Sequence, residues 1–328
     1  MPSATTERAN AFVAEHLPGA RGLGEALAEL IEEPDEFVEI LREGLSRLAD
    51  VNYAKEQERV APGPAELFGV RNPLMAALAR QLREPLRESS SSSAIWLAER
   101  LATEPEREIV LLSHVPLARA ISNDPEQCWQ LMRRLAHRAQ DWIAVDELAE
   151  LYAKGILLER FRWAELEQLV YSPYKWERRL VGSTIARLPL ELPEDVRHQL
   201  KDSPGLMLIK SLLGDAEPDV QKALSWALRG WNDVDQTGVD TLLRTESSSA
   251  RTNNDGYRAW VLRDALTWPG TDPLLVRDVR EELASVRKQR GADSTSEASA
   301  VARGFIGLER LGSQAVAMQG SRQRLAGG

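Results

Sequence analysis

The chain has 328 residues, 43% hydrophobic and 28% charged, a balance typical of a globular protein built as one elongated domain or two compact ones. Its one cysteine, Cys128, excludes a disulfide framework and most zinc sites, and its four histidines are too scattered to share a metal. No apolar run is long enough for a transmembrane helix, and the N-terminus lacks a signal-peptide pattern, so we expect a cytoplasmic protein without membrane contact.

The negative charge is concentrated at the start of the sequence. Residues 1–50 hold eleven acidic and four basic side chains, a net charge of −7, which leaves −2 of the total −9 for the other 278 residues. We therefore predict an acidic helical extension over 1–50, attached to a nearly neutral body. Such a body can still carry a basic face, because only the local distribution of charge decides what it attracts.

Apolar residues recur at three- and four-residue spacing through most of the chain, which predicts helices. The predicted helices cover 24–49, 73–87, 94–103, 106–121, 125–138, 141–154, 162–171, 174–188 and 218–231.

The serine-rich stretches 88–93 and 245–256 predict loops, and no segment has the alternation of a strand. Antiparallel helices with short connections predict an all-α fold, a curved α-solenoid of HEAT-like antiparallel helix pairs, with a bundle as the alternative. We expect a main domain over 51–276 and a helical C-terminal tail over 277–328 with a disordered end.

We placed the residues of each helix about 100° apart around its axis. In three helices, a tryptophan or a charged side chain then lies outside the apolar side that faces the core. In 141–154, the apolar side includes Val145 and Leu148, Trp142 lies on its rim, and Asp146 lies beside Trp142 and further out. Either Trp142 is a core-edge residue next to a solvated acid, or the indole and the carboxylate both face a ligand.

The second helix is 174–188, where Arg179 lies opposite the core side, beside the small residues Gly182, Ser183 and Ala186. Small residues leave room for a close approach, and a guanidinium can bind phosphate oxygens in a bidentate way. The alternative is an arginine that extends along the surface or pairs with an acid of the next helix.

The third helix, 218–231, places one tryptophan away from its apolar side. Trp226 lies roughly opposite that side and is flanked by Lys222 and Arg229. A large apolar side chain is costly to expose, so Trp226 either packs against a neighbouring helix or waits for a ligand. The apolar side itself consists of Val220, Ala223, Leu224, Ala227, Leu228 and Trp231.

Over about 51–270 the sequence resembles the AlkD-type DNA alkylation-repair family, whose members are HEAT-like DNA glycosylases. The family has a Trp and an Asp four residues apart, an Arg three residues after a Trp, and a later Trp before a Leu-Arg. In this chain they correspond to Trp142, Asp146, Arg179 and Trp226. The matching stretches are "LFGVRNPLMAALARQL" (67–82), "DWIAVDELA" (141–149), "SPYKWERRL" (172–180), "DAEPDVQKALSWALRGW" (215–231) and "AWVLRDAL" (259–266).

The resemblance implies a DNA N-glycosylase that excises positively charged N-alkylated purines, such as 3-methyladenine and 7-methylguanine, from duplex DNA in base excision repair without flipping the base. It implies catalytic roles for Asp146, Trp142 and Trp226, and no metal or other cofactor. We expect a monomer near the nucleoid whose partner is duplex DNA containing alkylated bases. The predicted DNA-binding residues of its basic groove are Arg179, Arg178, Lys222 and Arg229.

A non-catalytic HEAT-like scaffold, or a DNA-damage-binding protein without chemistry, is the alternative, because a fold alone does not define a function. Asp146 distinguishes the two, since a scaffold has no use for a carboxylate beside the tryptophans of a groove.

Overall fold

The computed structural model describes residues 4–287 and 291–303 of the chain. These residues form helices joined by short connections, with an isolated β-bridge between Glu66 and Glu106 and no strand in the described ranges. The predicted all-α fold class is confirmed. The chain forms two compact units, Met1–Arg160 and Phe161–Gly328. The predicted disordered end of the C-terminal tail, "GSRQRLAGG" (320–328), lies outside the described residues.

In the first unit, α1 packs on α4 and α5 packs on α7, while α8 and α9 pack together as a pair of consecutive helices. A connection of three residues joins α8 to α9, and the two helices pack together, so the chain reverses direction between them. The ring of Trp129 on α8 lies against Gly155 of α9, and its centroid is 4.6 Å from that of Tyr152. The helices are α1 (Ala4–Ala28), α2 (Pro34–Arg47), α3 (Val51–Val60), α4 (Asn72–Glu88), α5 (Ser91–Leu101), α6 (Arg107–Leu112), α7 (His114–Ala120), α8 (Pro125–Arg138) and α9 (Trp142–Leu158).

The acidic residues 1–50 contribute to the core of this first unit. Helix α1 packs on α4, and α2 packs on α5, while Phe37 and Leu41 are fully buried. Arg42 of α2 forms ion pairs with Glu104 and Glu106 in the connection before α6. Of the eleven acidic residues, all except Asp50 are exposed, so the apolar side of α1 and α2 faces the core and the charge faces solvent.

The second unit is built around its longest helix. Helix α13 packs against α11, α12, α14 and α15, and Trp231 within it is fully buried, with its ring edge-on to that of Trp163 at 6.5 Å. The helices are α10 (Arg162–Val170), α11 (Lys175–Arg187), α12 (Gly205–Leu212), α13 (Pro218–Thr252), α14 (Gly256–Ala265) and α15 (Pro273–Glu282), with short 3₁₀ helices at Leu188–Glu191 and Glu194–Leu200.

Both predicted serine-rich loops are shorter than expected. Helix α4 ends at Glu88 and α5 begins at Ser91, where Ser90 accepts a hydrogen bond from the Ser93 amide and caps the helix. Residues 245–252 belong to α13, because buried side chains such as Ser247 hold this low-propensity stretch against the core. The backbone of α13 leaves helical geometry once, at Asp235, with φ −149° and ψ 78°.

Further differences from the predicted helices occur in both units. The predicted helix 24–49 is two helices separated at residues 29–33, where Pro34 begins α2, and the predicted helix 106–121 is divided between α6 and α7. Helices α1 and α12 extend into stretches for which no helix was predicted, 4–23 and 205–212.

A close contact between α11 and α13 depends on Gly182. A β-carbon at this position would lie 2.9 Å from the carbonyl carbon of Ala223, a distance that real side chains do not adopt. The small side chains next to Arg179 therefore admit a neighbouring helix, α13.

We expect Gly182→Ala to destabilise the protein by about 1–3 kcal/mol, because the added methyl group forces α11 away from α13. The matched control is Gly22→Ala in α1, where nothing lies within 4 Å of the added carbon. Alanine is the better helix former by roughly 0.5–1 kcal/mol, so the control is expected to stabilise. Urea titrations monitored by circular dichroism measure both effects, and equal signs for the two variants would contradict this account.

His114, the first residue of α7, lies in the wall between two cavities of the first unit. Removal of its ring from water lowers the pKa of His114 to about 4, although the nearby carboxylate of Glu150 opposes the shift. The folded protein therefore holds a neutral imidazole that the unfolded chain would protonate more readily.

Because the pKa of His114 is lower in the folded state, stability should be full above pH 6.5 and fall as the pH drops toward 4. Between pH 7.5 and 5 the expected loss from this group is about 2 kcal/mol, from roughly 1.4 kcal/mol per pKa unit. His114→Gln should remove this part of the pH dependence, measured as the unfolding free energy at both pH values, while substitution of the exposed His198 by Gln should not. An unchanged slope in His114→Gln would contradict the assignment.

Candidate functional site

The start of helix α9 is fixed by a buried ion pair. Asp141 caps the helix by accepting hydrogen bonds from the Ile143 and Ala144 amides at 2.9 and 3.0 Å. The other oxygen of this carboxylate lies 3.0 Å from Nε of Arg107, and both side chains are buried. Trp142 directly follows Asp141, so this ion pair fixes the backbone position from which its side chain extends.

Trp142 and Asp146 lie on the same side of α9, one helical turn apart, and both are half-buried. The indole Nε1–H of Trp142 donates a hydrogen bond of 3.1 Å to the carbonyl oxygen of Val60 at the end of α3. This bond holds the ring by its edge. The predicted core side of α9 is buried except for Ala144, which is half-buried; the buried residues are Val145, Leu148, Ala149, Leu151 and Tyr152.

A basic groove beside α9 was not singled out from the sequence. It is an open depression of about 560 Å³ between α4, α7 and α9. Arg83 and Arg87 lie one turn apart on the exposed face of α4, and this four-residue spacing was the available signal. The cationic residues lining the groove are Arg83, Arg87, Arg119 and Lys154, and its acidic residues are Glu147 and Glu150.

In the second unit, the neighbouring arginines of α11 point into the protein. Arg179 is only 5% exposed, and its Nη1 donates to the carbonyl oxygen of Asp219 at 2.6 Å. Arg178 forms an ion pair with the fully buried carboxylate of Asp215, with Nε 2.7 Å from Oδ2, and also donates to the Ser172 and Pro173 carbonyls. Both guanidinium groups thus help to hold α11 beside the start of α13.

Trp226 lies off the core side of α13, as predicted from the helical face. The predicted apolar residues of this helix are all buried, whereas Trp226 is half-buried, with the guanidinium of Arg187 5.9 Å from its ring centroid. Lys222 is exposed and has no ion-pair partner in the part of the chain that the structure describes. Arg229 lies 3.6 Å from Asp264 and donates to the Thr267 hydroxyl at 3.3 Å.

The predicted site residues are thus divided between the units. Trp142 and Asp146 belong to the first, and Arg179 and Trp226 to the second. In the first unit they lie on α9, and in the second unit they lie on α11 and α13, which pack together. That all four line one concave groove, and that the groove is basic and binds DNA through the four predicted cations, stay predictions.

The arrangement defines a class: an all-α protein of packed helix pairs with a tryptophan–carboxylate pair on one helix and a second half-buried tryptophan on another. In the described ranges, no group of three or more His, Cys, Asp or Glu side chains is placed to hold a metal ion. Nor does any helix there combine the length and apolar character required to span a membrane.

The family model described as DNA alkylation repair enzyme matches residues 41–268, which is more than half of the sequence, and the chain belongs to this family. A search of solved structures finds similarity to a predicted DNA alkylation repair enzyme from Enterococcus faecalis. The TM-score is 0.50 at 16% identity, over 72% of this chain and 97% of that one, a similarity of fold. No curated protein was found to match the sequence.

The contacts of Arg178 and Lys222 predict that the same substitution has very different effects on stability at the two positions. We expect Arg178→Met to cost about 3–5 kcal/mol, because it leaves the buried carboxylate of Asp215 without its partner. Lys222→Met, the same change on an exposed position, should stay within about 0.5 kcal/mol of the wild type. Denaturant titration of both variants measures the difference. Equal midpoints would show that the charge of Arg178 is not required for folding.

Proposed function

We propose that the protein is a DNA N-glycosylase that removes positively charged N-alkylated purines, of the 3-methyladenine and 7-methylguanine type, from duplex DNA without extruding the base. The observation that carries the proposal is the pair on α9, a tryptophan and a carboxylate one turn apart and both half-buried, within the region matched by the DNA alkylation repair family.

Departure of the alkylated base requires little catalysis by the enzyme. An N-alkylated purine already carries a positive charge, so it departs as a neutral base without a strong general acid. Cleavage of the glycosidic bond instead develops positive charge on the deoxyribose, as in other glycosyl transfers. A fixed negative charge beside the sugar is therefore the most useful group that a protein can supply.

In this proposal Asp146 provides that charge. Its carboxylate stabilises the sugar cation and orients the attacking water, which adds to the sugar carbon as the bond to the base breaks and gives its proton to the carboxylate or to solvent. Trp142 and Trp226 stack on the sugar, where the negative faces of their rings attract the developing cation. Hydrolysis by this route uses no metal and no other cofactor.

The fixed orientation of Trp142 supports its assigned role. Its indole N–H is already bonded to the Val60 carbonyl, so the ring is oriented before any DNA arrives. A preorganised aromatic face costs no side-chain ordering when the transition state forms.

Phosphate contacts would position the duplex on both units. We assign this role to Lys222, which is exposed on α13, and to the basic groove beside α9. The predicted phosphate contacts of Arg179, Arg178 and Arg229 remain part of the proposal, although each of these arginines also has a partner within the protein. Binding that depends on such cations weakens steeply as salt is added.

The experiment is single-turnover release of 7-methylguanine from methylated duplex DNA, with Asp146→Asn compared against the wild type. The substitution keeps the shape of the side chain and removes its charge, so we expect excision to slow by roughly 10²–10³-fold while DNA affinity is retained. Glu126→Gln, the same kind of change at an exposed position of α8 outside both the basic groove and the proposed site, is the matched control and should excise normally.

An Asp146→Asn variant that excises at the wild-type rate would remove the carboxylate from the mechanism. A wild-type protein that binds methylated DNA and releases no base would instead identify a passive damage-binding protein. The first outcome would contradict the catalytic role of Asp146, and the second would contradict the glycosylase activity itself.

A further inference from the structure

A second recess in the first unit lies apart from the face of α9 that carries Trp142 and Asp146. It has a volume of about 400 Å³, in the range of pockets that bind small molecules. Asp141, Ala144 and Leu148 line it from α9, and this spacing of three and four residues defines one helical side. Trp142 and Asp146 do not line it.

The acidic and basic side chains around this recess differ in how many of their charged atoms already have partners. Its two carboxylates are both occupied: Glu104 pairs with Arg42 and Arg100, which lie outside the lining, and Asp141 caps α9 and pairs with Arg107. The recess therefore has no carboxylate left for a ligand cation.

Its arginines, in contrast, keep unused donors. The buried guanidinium of Arg107 donates from Nη2 to the Ala61 carbonyl at 2.8 Å, and its Nε lies near Asp141 without the alignment of a hydrogen bond. Nη1 of Arg107 has no acceptor in the described part of the chain. At the rim, Arg138 donates from Nη1 to the Ala102 carbonyl at 2.9 Å and has no carboxylate partner among the described residues.

The remaining wall is aliphatic. Side chains from α6, α8 and α9 face the recess, and His114, which closes one side, stays neutral because desolvation lowers its pKa to about 4. An apolar wall with a few polar groups at one end favours a ligand with an apolar body and one charged group. The main aliphatic residues are Val110, Leu111, Leu135 and Leu148.

We propose that this recess binds a small organic anion, with its carboxylate or phosphate group on the free donors of Arg107 and Arg138 and its apolar body against the aliphatic wall. Guanidinium groups suit both kinds of anion because their paired N–H donors match two oxygens. The ligand would share the guanidinium of Arg107 with Asp141, which caps the helix that carries Trp142, so occupancy would stabilise the start of α9.

The test uses phenyl phosphate and benzoate as probes, titrated calorimetrically into the full-length protein, with phenol, benzamide and inorganic phosphate as controls. We expect saturable 1:1 binding of at least one aromatic anion, roughly tenfold or more tighter than its neutral analogue, as expected for a charge-assisted hydrogen bond. No saturable binding, or equal binding of inorganic phosphate and phenyl phosphate, would overturn the proposal.

Variants then locate the bound anion. Arg138→Gln should weaken binding about tenfold or more, whereas Arg134→Gln, an exposed arginine of the same helix that pairs with Glu99, should not. Ala144→Leu should abolish binding by filling the recess, and Asp146→Asn should leave it unchanged. Equal effects of the two arginine substitutions, or full binding by Ala144→Leu, would overturn the proposal whether or not the protein excises bases.

Discussion

The close approach of α11 to α13 is the contact on which the second unit depends. It requires the absence of a side chain at Gly182, and it brings the guanidinium of Arg179 to the backbone carbonyl of Asp219. Once the two helices meet in this way, Trp226 emerges at a fixed place beside Arg187. The position of this tryptophan thus depends on the packing of α11 against α13.

Both units fix a helix of the candidate site with a buried arginine–carboxylate pair. Asp141 and Arg107 do so at the start of α9, and Asp215 and Arg178 do so in the turn before α13. In each pair the carboxylate also accepts a hydrogen bond from a backbone amide at the start of the helix, Ile143 for Asp141 and Glu217 for Asp215. The carboxylate therefore connects the start of that helix to the helix that carries the arginine. A buried pair of this kind contributes modestly to stability when intact, yet losing one partner is costly. The two pairs therefore restrict where their helices can begin.

Much of the fold could be predicted because the chain repeats one physical pattern. The six apolar residues predicted for α13 are all buried, since spacing of three and four residues defines a helical side whatever packs on it. For the same reason Trp226 could be separated from the core by its position alone. The serine-rich stretches could not be assigned, because burial of Ser247 and the cap at Ser90 overrode the weak helix propensity of serine.

The candidate site was less predictable than the helices. Gly182, Ser183 and Ala186 were correctly placed around Arg179, but a sequence shows which residues are small and not what approaches them, and a helix approaches here. The ion pairs of Arg178 and Arg229 join residues 35 or more positions apart, and helical periodicity carries no information at that range. Of the four cations predicted to bind DNA, Lys222 is the one that is exposed to solvent, as charged side chains usually are.

The exposed acidic residues of α1 and α2 affect how fast a protein of a DNA repair family dissociates from DNA. Buried side chains from Ala20 to Leu45 are part of the first core, so the exposed acids from Glu25 to Glu43 cannot leave the surface without unfolding that unit. Permanent negative charge repels the phosphate backbone wherever no specific contact compensates it. Such repulsion shortens the time that a protein spends on undamaged duplex, so a longer stay would require specific contacts at a lesion.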